Sequence, residues 1–183
     1  MKDKDCKCRV VPPPPQGPQG PPGKQGPQGP IGPMGIPGLS DPQSAFRAEN
    51  NIASQIINGT VSVRVNYPSE IFDLNNEYAP GTSTFTPSQS GVYSICANVL
   101  FLPNNTAIDH STNMEIFVNL FRVAQTSSAY IGGIIVQHPS SLCTIVQLQA
   151  GDNVTVTFRS SVGGNILNTG EGTNFEAARF PSP

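Results

Sequence analysis

The chain has 183 residues and a formal net charge of −2, room for one ordinary domain and an extension. The charge is unevenly placed: Lys2, Lys4, Lys7 and Arg9 face Asp3 and Asp5 at the start, whereas residues 41–183 hold ten acids against five arginines and no lysine. A region of net −5 offers no basic face to nucleic acid and little attraction for anionic lipid, and no run approaches the ~18 apolar residues that would span a bilayer.

Residues 1–15 form a polar start. Met1-Lys2-Asp3-Lys4-Asp5-Cys6 lacks the apolar stretch of a secretory signal, so the expectation is an extracellular protein whose signal has been removed or one released by lysis of its maker. Cys6 and Cys8 are too close together and too isolated for a four-ligand zinc site. Neighbouring lysines favour their thiolates, and the pair is expected to crosslink to a sister chain or an anchor. The segment Cys6-Lys7-Cys8-Arg9-Val10-Val11 can add as a short strand to another protein's sheet, with Pro12 to Pro15 as a stiff spacer behind it.

Residues 16–40 read as a collagen-like stalk. Glycine falls at Gly17, Gly20, Gly23, Gly26, Gly29, Gly32, Gly35 and Gly38, giving eight unbroken Gly-X-Y triplets that end at Ser40. Three polyproline-like chains can wind together only where the axial residue has no side chain, which demands this period. Pro18, Pro21, Pro27, Pro30 and Pro33 at X positions pre-set the backbone. A rod of roughly 70 Å follows from about 3 Å per residue. It is short, so it is expected to depend on a trimeric head to bring three chains into register.

Residues 41–183 carry the pattern of an all-β head. Val61, Val63, Val65 and Tyr67 alternate with polar residues, as do Val154, Val156 and Phe158. Met114–Val123 and Tyr130–Val136 are apolar on both faces and are expected to be strands covered on both sides. Breakers stand at Asn58-Gly59, Pro80-Gly81, Pro87 to Gly91, Pro103 to Asn105, Pro139, Gly151-Asp152 and Gly163-Gly164. About eight to ten strands, and no helical period, point to a two-sheet sandwich or jelly roll. Cys96 and Cys143 lie within apolar runs and read as buried free thiols.

The intervals between Tyr67, Asp73, Tyr78, Phe85, Gly91 and Tyr93 resemble the signature of the complement-1q globular domain. Two later aromatic positions of that signature are Ile95 and Ala97 here, an inward apolar face of smaller volume. Leu148 to Val154, with Gly151-Asp152, resembles the family's late turn; Asn174-Phe175-Glu176-Ala177 resembles its final strand, and Phe46 its first-strand aromatic. The resemblance implies a ten-stranded jelly roll related to tumour necrosis factor, packed as a homotrimer, the symmetry that the triplets ask for independently. Ile71 to Tyr78, Ser90 to Tyr93 and Phe175 to Pro181 are similar to segments of the collagen-like proteins of bacterial endospore surfaces, which are freed by mother-cell lysis.

Chemistry is sparse. Asp109-His110 reads as a solvated connection, and Asp73, near Glu70 and Glu77, as a turn-stabilising acid. No nucleophile–base motif or phosphate loop is present, so no enzyme activity, cofactor or metal is expected. The expectation is a non-enzymatic trimeric fibril protein on the spore's outer surface, in the exosporium or at an appendage tip. It would dock on a fibre protein through its N-terminus and touch host or surface ligands with its head. The alternative is a phage tail-fibre tip, with a secreted cytokine-like ligand as a third class.

Overall fold

The computed structural model describes residues 11–29, 44–133 and 137–181. The chain divides into two units, Met1–Gly38 and Leu39–Pro183. In the first, residues 11–29 are exposed and form neither helix nor ladder. A Cβ placed on Gly17, Gly20, Gly23, Gly26 or Gly29 would meet nothing within 4 Å. Among the described residues no contact inside a single chain therefore demands glycine at these five positions. Gly32, Gly35 and Gly38 lie outside the described residues, as do Cys6, Cys8, Arg9 and Val10; Val11 is exposed.

The second unit is a sandwich of two antiparallel sheets. Its eight longer strands are β1 (Ala45–Glu49), β4 (Ser69–Asp73), β7 (Gly91–Pro103), β8 (His110–Val118), β9 (Phe121–Tyr130), β10 (His138–Leu148), β11 (Val154–Ser160) and β13 (Asn174–Arg179). Five short bridges complete it: β2 (Gln55–Ile57), β3 (Val63–Arg64), β5 (Tyr78–Ala79), β6 (Thr84–Phe85) and β12 (Gly164–Ile166). The larger sheet runs β2-β12-β7-β13-β1-β4, with β10 on the free side of β7; the smaller runs β5-β6-β11-β8-β9, with β3 on β11. The fold is the expected all-β jelly-roll sandwich. Odd residues of β7 from Tyr93 to Phe101 face inward against Met114 and Ile116 of β8 and Val154, Val156 and Phe158 of β11, all essentially solvent-free.

Several local expectations need correction. Met114–Val123 is one arm, the turn and the start of the other arm of the β8–β9 hairpin; Asn119, at φ 56°, takes the left-handed turn conformation that Asn tolerates. The run from Tyr130 does not continue as a strand: β9 ends at Tyr130, 131–133 turn, and 134–136 lie outside the described residues. Pro139 lies inside β10 instead of breaking it, because β10 is an edge strand that, among the described residues, pairs only with β7. Of Val61–Tyr67 only Val63 and Arg64 pair in the ladder; Val65 and Tyr67 point inward as expected, while Val61 is exposed.

Cys96 and Cys143 are not buried free thiols. They stand directly opposite each other on β7 and β10 and form a disulfide, with Cα atoms 4.1 Å apart. Both alternate with inward residues and so lie on the sheet's outer face, where Cys143 is exposed. His110 also departs from expectation: it opens β8 with its ring buried, and only Asp109 is solvated.

Candidate self-association face and distal tip

The aromatic residues singled out in the sequence converge on one cluster between the sheets. Phe46 of β1 stacks on Tyr78 and on Phe85, both at 4.7 Å between ring centroids, and meets Phe175 edge-on at 5.0 Å. Tyr67 lies 5.5 Å from Phe175, and Tyr93 5.8 Å from Phe85. The Tyr78 hydroxyl donates to Tyr67 O at 2.7 Å. Burial pushes Tyr78 up to about 12 and holds Tyr67 well above its ordinary value.

The remaining marked residues build turns. Asp73 accepts from the backbone N–H of Tyr78 at 2.7 Å and of Asn75 at 3.1 Å, the turn-stabilising role expected of it. Asp152 accepts from Gln149 N at 2.8 Å, and Gly151 turns the chain at φ 89°. A Cβ on Gly91 would press on the Arg179 side chain, which reaches Gln89 and Ser90 O. Glu77, unremarked in sequence beyond its acidity, is buried and takes hydrogen bonds from the Ser44 and Ser88 hydroxyls and from Ser88 N. These residues hold the head together.

Two surfaces remain. The first is the outer face of the larger sheet. Register sets Ser94 and Cys96 of β7 beside Ile145 and Cys143 of β10 on one flank, and beside Ala178 and Glu176 of β13 on the other. Ala45 and Arg47 of β1 follow, then Phe72 of β4. Phe72, Val92, Ile145 and Phe180 are exposed by 44%, 43%, 66% and 43%, a large apolar allotment for an uncovered sheet face. Arg47 bridges Glu176 at 3.0 Å and Glu49 at 3.1 Å within it. A depression of about 220 Å³ opens between Phe72, Ser94, Cys96 and Ala178.

The second surface is the tip remote from the ends of the head's chain. Arg179 N donates to Ser44 O, so β1 begins where β13 finishes, and β7 runs from there to Pro103 at the opposite end. Loops close this end through Asn104 N to Gly163 O at 2.9 Å, Gly133 N to Thr106 O at 2.6 Å and Gly132 N to Asp109 Oδ1 at 2.8 Å. Any Cβ on Gly132 would overlap Ala107 O, so the close approach requires glycine.

Beneath these loops lie the chain's two histidines, His110 and His138, 6% and 1% exposed, with ring centroids 4.7 Å apart. Tyr130 packs on both rings, 3.8 Å from His138 and 5.3 Å from His110. Burial, reinforced by the His110 charge, lowers the His138 pKa from its ordinary value. Among the described residues no three ligating side chains gather to hold a metal ion, and no helix is long and apolar enough to cross a membrane.

No family model and no curated protein matches the chain. The fold is nonetheless shared with tumour-necrosis-factor-like proteins of known structure. The Eiger tumour necrosis factor of S. frugiperda superposes with TM-score 0.58 at 13% identity, covering 78% of this chain and 96% of that one. Murine APRIL at pH 5.0 superposes with TM-score 0.53 at 14% identity, covering 75% and 99%. The head is thus a tumour-necrosis-factor/complement-1q-like jelly roll, and at such identities the likeness is one of fold.

Proposed function

We propose that the protein is a non-enzymatic, homotrimeric fibril subunit, with residues 16–40 as its triple-helical stalk and residues 41–183 as its contact-making head. The observation that carries this reading is the glycine period: no contact among the described residues of one chain explains Gly17 to Gly29, whereas three wound chains would. The outer face of the larger sheet supports it, since Phe72, Val92, Ile145 and Phe180 are apolar surface that two further heads would bury. Sedimentation of the full chain at micromolar concentration tests the reading. A mass of three 19.3 kDa chains is expected, and a single or paired chain refutes it.

The head is read as a binding module because its fold is that of tumour-necrosis-factor-like proteins and its outer sheet face is rich in exposed apolar side chains. The N-terminal segment, Cys6 to Val11, is read as the anchor to a fibre or layer. We place the fibril on the outer surface of a bacterial spore, in the exosporium or at the tip of an appendage, where the head would meet surfaces or host molecules. Support comes from the pairing of this stalk with this head and from the spore-like segments Ile71 to Tyr78 and Ser90 to Tyr93. Antibody labelling of purified spores and of induced phage particles separates this location from a phage tail-fibre tip. Label confined to phage would overturn it.

A further inference from the structure

Burying a histidine is tolerable when it is neutral and its nitrogens are paired; the tip satisfies only part of this. His110 Nδ1 lies 2.9 Å from Ile108 O, so Nδ1–H donates and Nε2 is left as a bare acceptor. That Nε2, and both ring nitrogens of His138, are buried without a protein hydrogen-bond partner. Their described neighbours are aromatic rings and a carbonyl, with no ion-paired carboxylate among them. β7 contributes Phe101, 6.4 Å from His110, and β9 contributes Tyr130, whose hydroxyl is directed at Pro139 O. β8 and β10 contribute the two histidines themselves, which repel when both are protonated. The nearest acid along the chain, Asp109, is exposed and spends Oδ1 on Gly132 N, and no described carboxylate forms an ion pair with either ring.

The pair also bridges the two sheets, since His110 belongs to β8 of the smaller and His138 to β10 of the larger. The loop contact Gly132–Asp109 joins the residue before His110 to the second residue after Tyr130, and Gly133–Thr106 lies beside it. We propose that His138, packed against His110 across the two sheets, is a proton-sensitive latch: mild acid charges it and releases the loops at 104–109 and 131–133, while the rest of the sandwich stays folded. The sign follows from the neutral state being the buried one. The open tip takes up protons first, so closure is complete above the ordinary histidine value of about 6.5 and weakens as pH falls below it. The opening population rises by up to about tenfold per pH unit for each proton taken up. Opening uncovers Tyr130 and Phe101 beside Ile108 and Ile131, which are already 49% and 71% exposed, and so creates an apolar tip absent at neutral pH.

Hydrogen exchange on the full chain, corrected for the intrinsic pH dependence of exchange, tests this. Peptides covering 104–109 and 131–133 should lose protection by about tenfold or more between pH 7.5 and 5, with the β1–β13 pair unchanged. A His110→Phe/His138→Phe double variant should hold tip protection constant. A flat wild-type profile, or the same fall in the double variant, overturns the proposal. Should that variant fail to fold, ring-proton NMR of the wild type decides. His138 is expected to titrate below the unfolded-chain value with the Gly132 and Gly133 amides following it. A midpoint at or above that value, or silent glycine amides, refutes the latch.

Discussion

Replacing Phe46 by alanine removes the ring on which the head's aromatic cluster is centred. The side chain is 1% exposed and touches three other rings, Tyr78, Phe85 and Phe175, with centroids 4.7, 4.7 and 5.0 Å away. Loss of its burial costs about 2–3 kcal/mol. The three ring contacts, at roughly 0.5–1 kcal/mol each, add about 2 kcal/mol. The total of about 4 kcal/mol sits within the range of about 3–5 kcal/mol for such truncations. For a domain of this size it should lower Tm by roughly 8–16 °C. The assay is urea and thermal unfolding of the full chain at fixed protomer concentration, because self-association would otherwise shift the midpoint. Phe46→Leu, which keeps most of the apolar volume, should lose under about half as much. A loss below about 1 kcal/mol for Phe46→Ala would show that the cluster is not the keystone inferred from its geometry.

Joining Cys96 to Cys143, 47 residues apart, should stabilise the head by about 4 kcal/mol through chain entropy. Reductant, or a Cys96→Ser/Cys143→Ser double variant, should lower the urea midpoint to a common value; an unmoved midpoint on reduction would contradict the bridge. A Cβ on Gly164 would sit 2.5 Å from Phe101 Cζ and closer still to Leu102 O, so Gly164→Ala should cost about 2–3 kcal/mol in thermal melts. Gly91→Ala meets only a flexible arginine side chain and should cost under about 1 kcal/mol. Tyr78, raised by burial to about 12, contributes stability that is full below pH 10 and falls as pH rises toward 12. Alkaline difference absorbance should therefore show at least two of the four tyrosines, Tyr67 and Tyr78, ionising only with unfolding, and free ionisation of all four near pH 10 in the folded head would refute their burial.

The aromatic cluster was legible in the sequence because fixed intervals from Tyr67 to Tyr93 record where successive strands cross one point of the core. The inward face of β7 was legible for the same reason, with Ile95 and Ala97 fully buried. That reading already contained the correction for Cys96: if residues 95 and 97 face inward, residue 96 faces out. The parity of β10, inward at Leu142 and Leu148, says the same of Cys143. What no local pattern contained was the register of β7 against β10, which makes the two cysteines partners. The histidine pair was hidden for a like reason, since 28 residues separate positions brought together only when the two sheets close. Met114–Val123 misled because a hairpin with apolar arms has the composition of a single buried strand.

The meeting of Ser44 and Arg179 at one end of the sandwich has a mechanical consequence. A tension entering the head at Ser44 and leaving at the far end runs along β1, which is hydrogen-bonded to β13 on one side and β4 on the other. Such a load pulls lengthwise on both ladders, so their bonds share the force and must yield together, whereas a perpendicular load would peel them one at a time. The entry strand is clamped for shear, the geometry that resists a pull along its own length.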